Sequence, residues 1–413
     1  MADDHVTPPE QAVIDSAKRL AAEIVDPLAE DWERERRFAR ESFTAAADAD
    51  LLALLVPQRL GGRGLGEVTL ARVMEELTAA DFSAAFSLVV HNNMARAVAS
   101  NGNDHLLDTV LPALVSGDRL GAFLLTEPGA GSDAAAITTS ARRDGDEWVV
   151  NGEKAWVTNA SDAGLLNVYA QTDPALGHRG IVAIVVDADL AGVVRSDPYE
   201  MMGAHASGTG GFAFNDVRVG VENTLIPVGE AFAAALEAID LARTLVGAMC
   251  CGLMRRSLDV ALAHTKQRQA FGGTIADKQG VQWLLADVAT DLAATRLLTY
   301  RAARLLQDGD DAALMAAHAK KFAARKAQQR VADCMQAMGA AGYKRSVDNP
   351  LPRHLEAARL TGYVDGTTEI QNVVIARRLW ADIPTGNVPT GSVPTSNVPT
   401  SNVPTSNVPT GSD

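Results

Sequence analysis

Phe123-Leu-Leu-Thr-Glu-Pro-Gly-Ala-Gly-Ser-Asp133 begins apolar and ends in glycine and small polar residues. That order reads as a short strand running into a Gly-rich turn. The turn has free backbone N–H groups, and Thr126 and Ser132 add two hydroxyls. Such a turn lets a planar ring edge or a phosphate come close, because glycine presents no Cβ and successive N–H groups can point at an anion. The stretch also lies near a boundary, since the apolar pattern differs on its two sides.

Before it, from about residue 11 to 117, apolar residues recur at helical spacing. Val13, Ala17, Leu20, Ala21 and Ile24 set the first stripe, and residues 68–77 repeat it. Asp81 and Asp104 stand ahead of apolar runs and are predicted helix N-caps. From about residue 120 to 221 the segments are short and β-like. Asp144-Gly145 and Asn151-Gly152 flank residues 147–150, which predicts a strand between two tight turns. Residues 181–186 read as a buried β-branched strand, and residues 212–219 alternate. This zone predicts a small β-barrel or sandwich. From about residue 230 to 380 helical periodicity returns in long runs, 231–268, 281–306 and 312–338, a length that suggests a four-helix bundle.

The expected organisation is therefore an α+β multidomain chain. An N-terminal helical domain spans 1–119, a middle β-domain 120–225, and a C-terminal helical bundle 226–382. Residues 384–413 repeat Pro-Thr-(Gly/Ser)-(Asn/Ser)-Val six times, the last copy ending in Asp. With so little apolar surface to offset ordering entropy, 383–413 is expected to be a disordered tail.

Composition narrows the function classes. The 413 residues are 47% hydrophobic, ample for a large core, and the net charge is −14. An acidic chain of this kind is a poor nucleic-acid binder. No apolar run approaches the length of a membrane span. The acidic, Pro-containing start is not a secretory signal. Three cysteines, two of them adjacent, suggest neither a disulfide framework nor a zinc site. The expectation is a cytoplasmic protein with no metal, and His91 and His205 read as packing or hydrogen-bonding residues. Gly61-Gly-Arg-Gly-Leu-Gly66 lacks the spacing of a dinucleotide fingerprint and has no strand before it.

Four further strings carry chemistry. Asn151-Gly-Glu-Lys-Ala-Trp-Val-Thr-Asn159 places Trp156 and Thr158 two apart, on one face if the segment is a strand. Arg268-Gln-Ala-Phe-Gly272 ends one long helix and Gln279 begins the next, and a guanidinium there suits a pyrophosphate. Gln336-Ala-Met-Gly-Ala-Ala-Gly-Tyr343 is a turn of small residues. Gly362-Tyr-Val-Asp-Gly-Thr-Thr-Glu-Ile-Gln-Asn-Val-Val-Ile-Ala-Arg377 closes the series.

In this order the strings resemble the acyl-CoA dehydrogenase family over about residues 10–380. The resemblance implies that family's helical, β and helical-bundle domains, with FAD as cofactor. It implies that Trp156 shields one side of the flavin and that the Thr158 hydroxyl bonds N5. It assigns cofactor contacts to Phe123, Leu125, Thr126, Gly131, Ser132, Val157, Thr367 and Glu369. From a neighbouring subunit of a homotetramer or homodimer it assigns Arg268, Phe271, Gln279, Gln336, Gly339 and Ala340, with Ala340 standing where the family has Gly. Substrate contacts are implied for Ser132, Asp240, Arg243, Gly366 and Arg377. An acyl thioester, on CoA or a carrier protein, and an electron-transfer flavoprotein are the implied partners.

Besides Ala340, other positions depart from the family. His205 stands where Arg is frequent, and Glu356-Ala357 where Arg-Asp is usual, which puts one ion pair in doubt. Asp365 stands where the base is normally Glu. Removing the α-proton of a saturated thioester needs a carboxylate at the α-carbon, a polarised carbonyl and a hydride acceptor. Asp365 is then the working base with about 1.5 Å less reach, or a degenerate position, or the base lies elsewhere. Some relatives carry it on the adjacent bundle helix, but the corresponding residue here is Ala242. The competing functions are a flavin monooxygenase on the same fold, whose members generally lack a carboxylate at this position, and a non-catalytic relative.

Overall fold

The computed structural model describes residues 6–379. The pentapeptide tail expected at 383–413 lies outside the described residues.

The N-terminal part is helical: α1 (Pro8–Leu20), α2 (Asp26–Glu35), α3 (Arg40–Asp48), α4 (Glu67–Ala80), α5 (Phe82–Asn101), α6 (Asp104–Thr109) and α7 (Leu111–Ser116). A π-helical turn, Ala21–Val25, joins α1 to α2. Pro27 follows it and has no N–H to continue the ladder. The wider turn adds a residue to the register, so Val25 is fully buried while Ile24, assigned by strict helical spacing, is only partly so. Asp81 caps α5 as expected, accepting from the Ala84 N–H at 2.9 Å. Asp104 does not cap. Asn103 does, accepting from the Leu106 N–H at 3.0 Å, and Asp104 is the first helical residue. An Asn directly before an Asp competes for the same role and enters the cap first.

The middle part contains β1 (Gly121–Leu124), β2 (Ser140–Asp144), β3 (Glu147–Val157), β4 (Leu165–Gln171), β5 (Ile181–Asp187), β6 (Val193–Arg195), β7 (Gly210–Gly220) and β8 (Thr224–Ile226). Strand order is β6-β7-β3-β2-β4-β5-β8, with β1 added parallel to β4. Only Ser140 and Gln171 join β2 to β4, so the sheet folds there into two halves. Ala141, Val150 and Phe214 from one half and Leu166, Val168 and Ile184 from the other share one apolar core. Asp144 and Gly145 turn the chain as expected. Asn151-Gly152 does not: β3 runs straight through it, with a register shift against β7. Gly152 absorbs the irregularity at φ 139°, where a Cβ would lie 2.6 Å from the Thr139 Cα.

The C-terminal part is built on α8 (Ala231–Gln267), α9 (Gln279–Asp308) and α10 (Ala313–Met338). Between α8 and α9 lies the small hairpin β9 (Gln269–Ala270) and β10 (Gly273–Thr274). Then follow α11 (Ala340–Tyr343), α12 (Leu351–Leu360) and α13 (Thr368–Leu379). α8 is buried along its middle against both α4 and α10, so one core runs through the N- and C-terminal helices.

Buried ions reinforce that join. Arg353 of α12 reaches Asp81 and Glu30, each at 3.0 Å, and donates to the Ala80 carbonyl at 3.1 Å. The two departures near it are self-consistent. Glu356 takes Arg345 as its partner at 2.5 Å. His205 places Nδ1 2.6 Å from Glu33 Oε1, while its own backbone N–H donates to the same carboxylate at 3.0 Å. His91 is likewise a hydrogen-bonding residue, bridging the Leu114 carbonyl and the Gly121 N–H. No helix among the described residues is long and apolar enough to cross a membrane.

Candidate active site

The candidate side chains fall into two groups, one on the β-domain and one on the bundle. The β-domain group is organised by a buried ion pair. Glu127, in the turn after β1, meets Lys154 of β3 at 2.8 Å. Glu127 also accepts from the Thr138 and Thr139 N–H groups at 2.7 and 2.9 Å, and Lys154 donates to the Leu125 carbonyl at 3.0 Å. Burial alone would raise the Glu127 carboxyl; the Lys154 ammonium and the two threonines outweigh it and hold it down at about 2. Burial pulls Lys154 down to about 8 against the attraction of Glu127. The pair ties the 123–133 loop to the strand that carries Trp156.

Around that anchor the cofactor candidates assemble. Phe123 and Leu125 lie at the end of β1, and Thr126 accepts the Ala155 N–H on its carbonyl at 3.0 Å. Gly131 and Ser132 are exposed, and space beside Gly131 is open. Trp156 and Thr158 do not share a strand face. Trp156 has φ 59° and β3 ends at Val157, so the alternation breaks between them. Trp156 stands 61% exposed, edge-on to Tyr199, while Thr158 and Val157 are buried. Filling the β-domain core is therefore not the role of Trp156. Among the described residues the hydroxyls of Thr126, Ser132 and Thr158 make no hydrogen bond. An open glycine turn, an aromatic face turned outward and three uncommitted hydroxyls suit a flat, polar-edged ring system with a phosphate tail.

The bundle group centres on Asp365, at the turn between α12 and α13. Asp365 and Gly366 both take left-handed backbone, φ 51° and 87°. The strain is held by three donors on two consecutive carbonyls. Arg243 Nε reaches the Asp365 carbonyl at 3.1 Å. Gln371 Nε2 reaches the Asp365 and Gly366 carbonyls at 3.3 and 2.9 Å. Lys320 Nζ reaches the Gly366 carbonyl at 2.6 Å. A Cβ at Gly366 would sit 3.0 Å from Gln371 Nε2. Asp240 pairs with Arg243 at 2.7 Å. The Asp365 Oδ2 is shut off from water and accepts no hydrogen bond. Burial raises its carboxyl to about 6, against the pull of Lys320 and Arg243. A half-buried carboxylate raised towards neutrality, with one oxygen uncommitted, has the properties of a general base. Thr367 caps the following helix, its hydroxyl accepting from the Ile370 N–H at 3.3 Å, and Glu369 and Arg377 are exposed.

The remaining candidates sit elsewhere on the bundle. Arg268 ends α8, Gln279 starts α9, and Phe271 between them is 94% exposed. Gln336, Gly339 and Ala340 are exposed at the end of α10. Among the described residues no hydrogen bond or ion pair joins them to the β-domain group.

Sequence reasoning missed Lys320 and Gln371. Lys320 carried a signal: it falls in phase with Ala316, Ala323, Ala324 and Ala327 on the buried stripe of α10, where a charge is out of place.

The N-terminal, middle and C-terminal domains of acyl-CoA dehydrogenases match residues 7–118, 122–217 and 229–380 in turn. The chain belongs to the acyl-CoA dehydrogenase family. It is thereby an oxidoreductase acting on CH–CH donors. The chain is 36% identical over 373 residues to acryloyl-CoA reductase (NADH) of Anaerotignum propionicum, covering 90% of this chain and 94% of that one. Butyryl-CoA dehydrogenase of Megasphaera elsdenii superposes with TM-score 0.88 at 29% identity, over 91% of this chain and 99% of that one. A glutaryl-CoA dehydrogenase of Mycobacterium smegmatis, solved with FADH2, gives 0.86 at 25%, over 93% and 98%. Asp365, Arg243 and the 123–133 and 151–159 strings all lie inside the matched domains.

Proposed function

We propose that this family member dehydrogenates an acyl thioester at the α and β carbons, with Asp365 as the base that takes the α-proton. FAD is the cofactor, and when bound it supplies the acceptor for the β-hydride. The observation that carries the reading is the Asp365 carboxyl: half-buried, raised towards neutrality by loss of water, and with Oδ2 shut off from solvent and left unbonded. The chain's own residues do the rest. Gln371, Arg243 and Lys320 fix the loop carbonyls so that the carboxylate keeps one position. Thr126, Ser132 and Thr158 offer hydroxyls to the isoalloxazine and the phosphates, and Trp156 covers one face. Arg243, already neutralised by Asp240, is best placed to orient the acyl carrier together with the exposed Arg377.

Anaerobic titration of the purified protein with a panel of acyl-CoA and acyl-carrier thioesters is the test. Bleaching of the flavin by one of them, with the 2-enoyl thioester as product, is the expected result. Rapid reaction of reduced protein with oxygen, with hydroxylated product, would favour the monooxygenase reading instead. The protein should purify yellow with about one FAD per chain, and denaturation should release FAD rather than FMN.

Arg268, Phe271, Gln279 and Gln336 are exposed in the single chain, which supports their reaching the FAD of a neighbouring copy in a homodimer or homotetramer. Arg268→Ala should then weaken flavin retention and the oligomer together, since a charge-assisted hydrogen bond contributes about 1.5–3 kcal/mol. Size-exclusion chromatography with absorbance at the flavin band checks it. A fully flavinated monomer would contradict it. An electron-transfer flavoprotein is the proposed electron acceptor.

A further inference from the structure

We propose that Lys320 is the positioning residue for Asp365: its buried ammonium pins the loop carbonyl beside the carboxylate and supplies the positive field in which that carboxylate ionises. The proposal rests on the reading of Asp365 as the base.

The case begins with a charge that ordinary packing does not explain. Lys320 is fully buried on α10, and among the described residues no carboxylate forms an ion pair with it. Its bond is to the Gly366 carbonyl, at 2.6 Å. A neutral donor can serve that carbonyl, and Gln371 already does so at 2.9 Å. Burying an ammonium to make a bond an amide could make is costly, because the charged head loses its hydration. The charge therefore needs a partner at longer range.

The groups facing Lys320 come from three elements. The turn before α13 brings Asp365, and α13 itself brings Glu369, which is exposed. α8 brings Arg243 and the Cys250 thiol. Arg243 is a cation, already paired with Asp240, and Cys250 is fully buried with its thiol raised to about 12, hence neutral. Among these groups Asp365, half-buried and with Oδ2 shut off from water, is the carboxyl left to answer the Lys320 charge. Burial lowers Lys320 to about 8 while Asp365 titrates near 6, so between those values the carboxylate and the ammonium coexist. When Asp365 accepts the α-proton it becomes neutral, and Lys320 keeps its own three protons. Lys320 touches neither substrate nor the reacting atoms, and acts through the loop and the field.

Two measurements separate this role from simple packing. The first needs no substrate. The melting temperature of the holoprotein is followed against pH with Asp365 or with Asp365→Asn, in wild-type and Lys320→Gln backgrounds. The pH at which the two curves diverge locates the ionisation of Asp365. Lys320→Gln keeps an N–H donor but removes the charge, and should move that point up by at least one pH unit; Lys320→Arg, which keeps the charge, should move it by less than half a unit. The second is the rate of flavin reduction against pH. Its acid limb should move by the same amount in Lys320→Gln, giving about tenfold slower reduction below the limb and recovery at high pH. An unmoved ionisation point in Lys320→Gln overturns the proposal. Should Lys320→Gln fail to fold, Lys320→Arg decides. A folded, flavinated Arg variant with an unmoved ionisation point supports it, and loss of fold in both shows that Lys320 only packs. If wild-type flavin is reduced by no thioester, the proposed function fails, while the melting measurement still reports on Lys320.

Discussion

Asp365→Asn is expected to slow flavin reduction by an acyl thioester at least ~10²-fold and to make the protein more stable at pH 7. The first effect follows from removing a positioned base while keeping its size. The second follows from the direction of its shift. Burial holds the folded-state value at about 6, above the ordinary 3.8. A carboxyl raised in this way contributes most below its unfolded value, and the contribution is lost as pH rises through 6. At pH 7 the folded protein carries a half-buried anion whose Oδ2 is shut off from water, which costs roughly 3 kcal/mol at about 1.4 kcal/mol per pH unit. Asn removes it. Stopped-flow reduction and urea unfolding at pH 5 and pH 7 check both halves, and the stability gain should shrink at pH 5. Asp365→Glu is expected to slow reduction as well, because the loop carbonyls are pinned and an added methylene moves the carboxylate by about 1.5 Å, a displacement worth up to ~10²-fold. Reduction by Asp365→Asn at the wild-type rate would remove Asp365 from the mechanism.

How much of this was legible in the sequence depends on how local the determinants are. The long helices could be read because each buries one stripe over many turns: α8, α9 and α10 fall within a few residues of the runs at 231–268, 281–306 and 312–338. The left-handed pair at Asp365-Gly366 sits in a string whose order pointed to the loop, but the donors that hold it come from α8, α10 and α13. Lys320 and Asp365 are 45 positions apart, a proximity no spacing rule reports. β3 shows the opposite failure. Asn151-Gly152 is a strong turn signal, but the eleven-residue β7 pairs with β3 on both sides of it, and Gly152 takes the bulge rather than ending the strand. Trp156 fails similarly, since its positive φ breaks the alternation that would have aligned it with Thr158. Tertiary pairing decided each case against a correct local preference.

The same long-range logic makes Lys154→Met the most destabilising single change expected in the β-domain. Lys154 is buried and holds Glu127 at 2.8 Å, 27 positions earlier in the chain. Removing one partner of a buried ion pair leaves an uncompensated charge and costs about 3–5 kcal/mol. Glu127 keeps its bonds from Thr138 and Thr139, which puts the expected loss at the lower end. The pH dependence carries the signature. Glu127 is held at about 2, below its ordinary 4.5, so its contribution is fully present above 4.5 and is lost as pH falls towards 2. In Lys154→Met that acid-sensitive window should flatten, and the gap from wild type should be wide at pH 7 and narrow at pH 3. The double variant Lys154→Met/Glu127→Gln should recover much of the loss, because a neutral amide can still accept from a threonine N–H without a buried charge. Flavin should also be released more readily from the single variant, since the pair fastens the 123–133 turn to the strand bearing Trp156. Urea unfolding across pH, with released flavin read by its fluorescence, measures all three. Unfolding of Lys154→Met within 1 kcal/mol of wild type at pH 7, a bound drawn from the range for exposed pairs, would show that the pair is not what holds the cofactor loop.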